Sequence, residues 1–152
     1  MRYAIEGISD KTRHLRYDVV VIGAGIAGLY TVLQLDRKVS CCILTKEEAE
    51  NSNSWLAQGG IAAAVSIDDA PAYHLADTLL AGAGLCDEEA VQVLVSEGPS
   101  DIKQLVEMRV PFDLNHDGDL DITREGGHRR NRVVHAGGDA TGRETVKALA
   151  HL

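Results

Sequence analysis

The sequence predicts an α/β domain organised on a parallel sheet. Three features carry that expectation. Residues 17–22 (YDVVVI) form a short apolar run rich in β-branched side chains, the pattern of a strand buried on both faces. Residues 23–28 (GAGIAG) follow at once and open a helix whose apolar positions Ile26, Leu29, Tyr30 and Leu33 recur at helical spacing. Residues 39–45 (VSCCILT) are a second run of the strand type, with Cys41 and Cys42 expected as buried residues within it. Together they make a β-α-β unit with the right-handed crossover of such units.

The remaining elements follow from local signals. Residues 1–16 read as a polar lead-in, and 17–152 carry the domain. The small apolar run after Gly59-Gly60 suggests a short strand. A helix is expected from Pro71, capped by Asp68 or Asp69, with Ala72, Leu75, Ala76, Leu79 and Leu80 on its inner face. Asp87 caps the next helix, with Val91, Leu94 and Val95 inward. Pro99 suits the first turn of another, which carries Ile102, Leu105 and Val106. Residues 112–125 read as a hairpin turning at Asp117-Gly118, and 132–135 as a brief strand. A last helix starts after its cap Asp139, with Val146, Leu149 and Ala150 on one face. A doubly wound sheet needs more strands than these to cover its helices. The expected fold is therefore the N-terminal portion of a larger domain, incomplete at the C-terminus.

Composition narrows the function. The chain has 152 residues, 45% hydrophobic and 25% charged, with net charge -8. Globular composition fits one core, and the acidic balance argues against a nucleic-acid binder. Three cysteines without a C-x-x-C pattern point to a reducing, cytoplasmic setting. The N-terminus lacks the apolar stretch of a signal peptide, and no run approaches the about 20 residues of a membrane span.

Residues 23–28 match G-x-G-x-x-G in the context that motif requires, after a buried strand and at the start of a helix. Gly23 permits the tight turn, Gly25 lets the backbone approach a pyrophosphate, and Gly28 allows close helix–strand packing. The first helical turn, with Ala24, Ile26 and Ala27, offers N–H donors and a partial positive charge. This is a Rossmann-like dinucleotide site. The usual acid at the tip of the second strand is displaced, since the tip reads Leu44-Thr45-Lys46 before Glu47 and Glu48. Thr45 or Lys46 takes its place, and NAD and FAD are not separated by this feature.

Residues 53–60 (NSWLAQGG) combine small and amide residues with a Gly pair, which lets backbone lie against a flat ring. With the βαβ unit before it and IAA after it, this segment resembles the flavoprotein family of succinate dehydrogenase, fumarate reductase and L-aspartate oxidase. The resemblance implies that Asn53, Ser54, Trp55, Leu56, Ala57, Gln58, Gly59 and Gly60 line FAD, and Lys46 at the tip of the second strand is expected to join them. Respiratory members carry a histidine here that bonds covalently to the flavin. Asn53 stands at that place, so the resemblance implies non-covalent FAD and points to the L-aspartate oxidases. Residues 80–87 (LAGAGLCD), 122–128 (ITREGGH) and 135–142 (HAGGDATG) resemble the same group.

Residues 124–143 gather Arg124, Arg129, Arg130, Arg132 and Arg143 with His128 and His135 in an acidic chain. The crowded arginines cannot all face one small site, so most are expected to be solvated or to hold neighbouring segments. Arg suits bidentate binding of carboxylates. On residue chemistry alone, Glu125 is an ion-pair partner for a nearby arginine. The resemblance gives it a catalytic-site role: succinate-type relatives have an uncharged residue near this place, whereas aspartate brings an ammonium that a carboxylate complements and can deprotonate. His128 is a second candidate to line that site. Asp113-x-Asn115-x-Asp117-Gly118 matches half a calcium loop, but Arg124 stands at the twelfth position, so a hairpin tip is expected. No His/Cys spacing suits zinc, and no metal is expected.

The resemblance implies FAD-dependent oxidation of L-aspartate to iminoaspartate, the first step of de novo NAD synthesis. The resemblance implies oxygen or fumarate as acceptor and quinolinate synthase as a physical partner. A capping domain and later segments supply further dicarboxylate-binding residues in that family, so the isolated chain is expected to turn over no aspartate. Steady peroxide production from aspartate by the chain with FAD would contradict this. The rival readings are a soluble fumarate reductase or succinate-oxidising flavoprotein, and a non-catalytic flavin-binding fragment.

Overall fold

The pairing of residues 18 and 40 sets the entrance to the first sheet. The Asp18 carboxylate accepts from the Ser40 N–H at 2.9 Å and the Ser40 hydroxyl at 2.6 Å. From there β1 (Val19–Ile22) and β2 (Cys41–Leu44) run parallel, Val19 against Cys41 through Ile22 against Leu44. Helix α1 (Ile26–Leu33) connects them. The β-α-β unit is thus formed as expected. This computed structural model describes residues 14–152, and most of the expected lead-in lies outside them.

Burial of the two strands differs from expectation. Val20 is 54% and Ile22 89% exposed, and Cys41 and Cys42 are only half-buried. Among the described residues β1 and β2 pair only with each other, so alternate side chains lack cover.

A second, antiparallel sheet follows. The order is β3 (Ile61–Ala62), β5 (Val133–Val134), β4 (Ile122–Thr123), with Ile61 and Ile122 both opposite Val134. Before β4 the chain turns as a hairpin, closed by the Leu114–Leu120 bridge, with Gly118 at φ 88°. Asn115 Oδ1 accepts from the N–H groups of Asp117 and Asp119. The Asp113 carboxylate accepts from the N–H groups of Gly137 and Gly138, both at 2.9 Å, and so holds the loop after β5.

Helix α2 (Pro71–Ala81) has Pro at its start as expected, but its cap and inner face differ. Ala70 stands at the cap position and makes no side-chain cap bond. Asp69 is instead committed to Arg132. The buried residues are His74 and Asp77, while Ala72, Ala76 and Leu80 are exposed. An ion pair with a distant arginine has overridden the apolar period.

Residues 88–107 form one helix, α3 (Glu88–Glu107), rather than two. Asp87 caps it, accepting from the Ala90 N–H at 3.1 Å. Pro99 sits inside the helix, which runs through it although proline cannot donate to the preceding turn. Val95, Ile102 and Leu105 face inward, while Leu94 and Val106 face solvent. Helix α4 (Thr141–Ala150) buries Thr141, Gly142, Thr145, Val146 and Leu149, and Ala150 is exposed. Its cap position is Ala140, not Asp139. The core joins Leu29, Ile102, Leu105, Phe112, Val134, Val146 and Leu149, which seats α1, α3 and α4 together behind the loops described next.

Candidate functional site

The first cavity, about 620 Å³, opens where β1 and β2 end. Its walls are Gly23, Ala24 and Gly25 on one side, Thr45, Lys46, Glu47 and Glu48 on the second, and Asn53 and Ser54 on the third. The chain turns into α1 at Gly23, whose φ of 109° favours glycine and whose missing side chain leaves open space. At Gly28 a Cβ would overlap the Gly23 carbonyl oxygen, so only glycine lets the helix approach the turn this closely. Ile26 points to the core, Ala27 is exposed, and the Ile26 N–H donates to Ser54 Oγ at 3.1 Å. That bond ties the segment 53–60 to the helix start. Thr45 and Lys46 both reach this cavity, as do the displaced acids Glu47 and Glu48.

The second cavity, about 520 Å³, is lined by Gln58 and Gly59 from the same segment, facing Asp113, Asp121, Thr123, Glu125, His135, Gly138 and Asp139. Residues 53–60 therefore run from one cavity to the other. Between these ends Trp55 packs against the core and Leu56 is exposed. The Ala57 carbonyl accepts from the Gly142 N–H at 3.0 Å. A Cβ on Gly142 would overlap the Ser54 carbonyl oxygen and meet that of Ala57 at 2.6 Å, so α4 begins against this segment. Gly59 faces open space, whereas a Cβ on Gly60 would meet the Val134 oxygen at 2.5 Å and His135 Cε1 at 2.8 Å. Open space beside Gly23 and Gly59, a helix start and Lys46 together suit an elongated ligand with an anionic part and a flat ring.

Glu125 opens into the second cavity with its side chain half exposed. Its partner is His135, with Nε2 3.2 Å from Glu125 Oε1, and among the described residues no arginine pairs with it. His128 sits elsewhere. Its ring packs edge-on against His74 at 5.4 Å, and its Nδ1 lies 3.4 Å from Arg132 Nη1, outside the residues lining the cavity.

The arginine cluster holds segments together. Arg132 is fully buried and donates to both Asp69 oxygens at 2.7 and 2.9 Å and to Asp77 at 2.9 Å. Arg129 adds its side chain and its N–H to Asp77, and Arg130 donates to the Asp68 carbonyl while its guanidinium stacks over Tyr73. Burial alone would raise Asp77, but the Arg129 bonds and the charges of Arg129 and Arg132 hold its pKa at about 2. Burial, then the charges of Arg132 and His128, lower His74, against the opposing pull of Asp69 and Asp77. His74 Nδ1 has no partner among the described residues. This clamp anchors residues 129–132 on α2 and so fixes the path between Glu125 and His135.

Sequence reasoning missed Asp113, Asp121, Thr123, His135 and Asp139 as cavity residues. The alternation along 121–125 puts Asp121, Thr123 and Glu125 on one face. The register Thr123 opposite Val133 carries His135 to that face.

The chain is 48% identical over 133 residues to L-aspartate oxidase of Streptomyces coelicolor, covering 87% of this chain and 23% of that protein. It is 47% identical to the chloroplastic L-aspartate oxidase of Oryza sativa, covering 88% of this chain and 20% of that protein. The chain thus spans less than a quarter of the length of these relatives. Its fold is similar to that of quinol fumarate reductase FrdA of E. coli, in a mutant form, with TM-score 0.83 and 29% identity over 89% of this chain and 23% of that one. Among the described residues no helix is long and apolar enough to cross a membrane. Residues 18–151 match the FAD binding domain family, and the chain belongs to that family, with FAD as its cofactor.

Proposed function

We propose that residues 17–152 form the N-terminal portion of an FAD-binding domain in a flavoprotein that oxidises L-aspartate to iminoaspartate. The observation that carries this reading is Glu125, a carboxylate opening into the same cavity as Gln58 and Gly59. The 48% identity to an L-aspartate oxidase supports it. Bound FAD supplies the two-electron acceptor.

The chain's own residues supply the rest. The first turn of α1 and Lys46 would hold the pyrophosphate, with Gly23 and Gly25 admitting it to the backbone. Gly59 and Gln58 would flank the ring. Asn53 provides no ring nitrogen for a covalent link, so the flavin is held non-covalently. Glu125 would meet the substrate ammonium and accept its proton, a charge-assisted contact that succinate cannot make. His128, packed on Arg132, would act by supporting the loop that carries Glu125. The reading extends to oxygen or fumarate as terminal acceptor, a place at the head of NAD synthesis, delivery of product to quinolinate synthase, and a reducing compartment.

The test is anaerobic bleaching of the bound flavin in the intact protein. L-aspartate is expected to bleach it and succinate to leave it oxidised. Bleaching by succinate alone would favour the rival fumarate reductase-type reading, which the fold similarity to quinol fumarate reductase motivates. Bleaching by neither would favour a flavin-binding role without this chemistry.

A further inference from the structure

The His135 ring lines the second cavity and lies between Gly60 and the end of β4. On one side its Cε1 occupies the space a Cβ on Gly60 would need, at 2.8 Å. On the other, its Nε2 lies 3.0 Å from Thr123 Oγ1 and 3.2 Å from Glu125 Oε1. Thr123 Oγ1 in turn donates to the Val133 carbonyl at 3.5 Å. A carboxylate oxygen can only accept, so the pairing with Glu125 places the proton on Nε2.

The second carboxylate oxygen, Glu125 Oε2, has no protein partner among the described residues. Glu125 itself lies past the end of β4 with its side chain half exposed. Left alone, such a carboxylate samples several rotamers and must be ordered whenever a ligand binds. The imidazole is better fixed, being only 19% exposed and seated on the Gly60 backbone and Thr123.

We propose that His135 is a positioning residue for substrate selection, holding Glu125 Oε1 so that Oε2 faces the ammonium of an amino-dicarboxylate. This rests on the reading of Glu125 as the ammonium contact. Pre-ordering one side chain changes affinity by up to about tenfold, and only for ligands that use it. The same ring seats against Gly60, so the carboxylate is set relative to the segment proposed to flank the flavin.

The test uses binding without turnover. 2-Methylaspartate keeps both carboxylates and the ammonium but has no Cα–H to lose, whereas succinate lacks the ammonium. Each is titrated into the intact flavin-loaded protein, and the perturbation of the flavin visible spectrum gives its Kd. His135→Phe keeps the ring's bulk and removes the donor. It is expected to weaken 2-methylaspartate about tenfold and succinate less than about twofold. His135→Gln keeps an N–H donor and is expected to stay within about threefold of wild type for both. It also serves if His135→Phe fails to retain flavin: equal weakening of both ligands in His135→Gln would then overturn the proposal. Equal weakening of both by His135→Phe, or of neither, would overturn it too. Glu125→Gln separates the two levels. If it selectively weakens 2-methylaspartate while His135→Phe does not, only the role of His135 fails. If Glu125→Gln is equally silent, the ammonium contact itself fails and the positioning role with it.

Discussion

Ser54 Oγ accepts the Ile26 N–H at 3.1 Å and so joins the second glycine-bearing segment to the first turn of α1. The serine serves as a cap supplied from 28 residues away. Ser54→Ala is expected to cost about 1 kcal/mol of stability, the usual value of a lost cap. FAD retention should weaken in parallel, as measured by flavin fluorescence titration. An unchanged melting temperature and flavin affinity would show that the two segments are aligned by other contacts.

Two glycines separate folding from binding. A Cβ on Gly28 overlaps the Gly23 carbonyl oxygen, so Gly28→Ala should lose about 1–3 kcal/mol through overpacking and release flavin. Gly59 faces open space, so Gly59→Ala should change stability by less than about 0.5 kcal/mol while lowering flavin affinity. Parallel denaturation and flavin titrations distinguish the two patterns.

Arg132 is the centre of a buried ion cluster, and its removal leaves Asp69 without its bidentate partner and Asp77 with Arg129 as its remaining cation. Arg132→Ala should destabilise by about 3–5 kcal/mol. Arg132→Lys should recover little, because a single ammonium cannot reproduce the bidentate pairing with Asp69. Urea denaturation of both variants checks this.

The same cluster gives the fold a one-directional response to acid. His74 and Asp77 both have folded pKa values below their ordinary 6.5 and 3.8. In each case the unfolded chain binds the proton more readily, so stability rises with pH through each window. Stability should be fully held above pH 6.5, fall below it as the unfolded chain protonates His74, and fall again between 3.8 and about 2 as Asp77 protonates. Melting temperatures across this range read both steps, and His74→Gln should flatten the upper one.

What the sequence revealed is what its local patterns encode. The β-α-β unit, the Gly23–Gly28 turn, the Asp87 cap and the Asp117-Gly118 hairpin each depend on residues a few positions apart. The inner face of α2 could not be read this way, because Asp77 is turned in by Arg132, 55 residues later. Pro99 has the character of a helix start, yet burial of Val95, Ile102 and Leu105 on either side of it carries α3 through. At the site, Glu125 stood out through family resemblance, whereas His135 emerged only from the pairing of β4 with β5. The sequence predicts that most of the crowded arginines are solvated or hold neighbouring segments. Three of them, Arg129, Arg130 and Arg132, fasten their loop to α2 and its approach.

Glu125→Gln tests most directly whether this carboxylate reads the ammonium of the substrate. The measurement is the rate of anaerobic flavin reduction in the intact protein against L-aspartate concentration, with succinate binding as the control. A fall of about 10–100-fold in kcat/KM for aspartate, the range for a lost charged hydrogen bond, with succinate affinity unchanged, is the predicted result. Equal loss for both ligands, or full activity with aspartate, would contradict it.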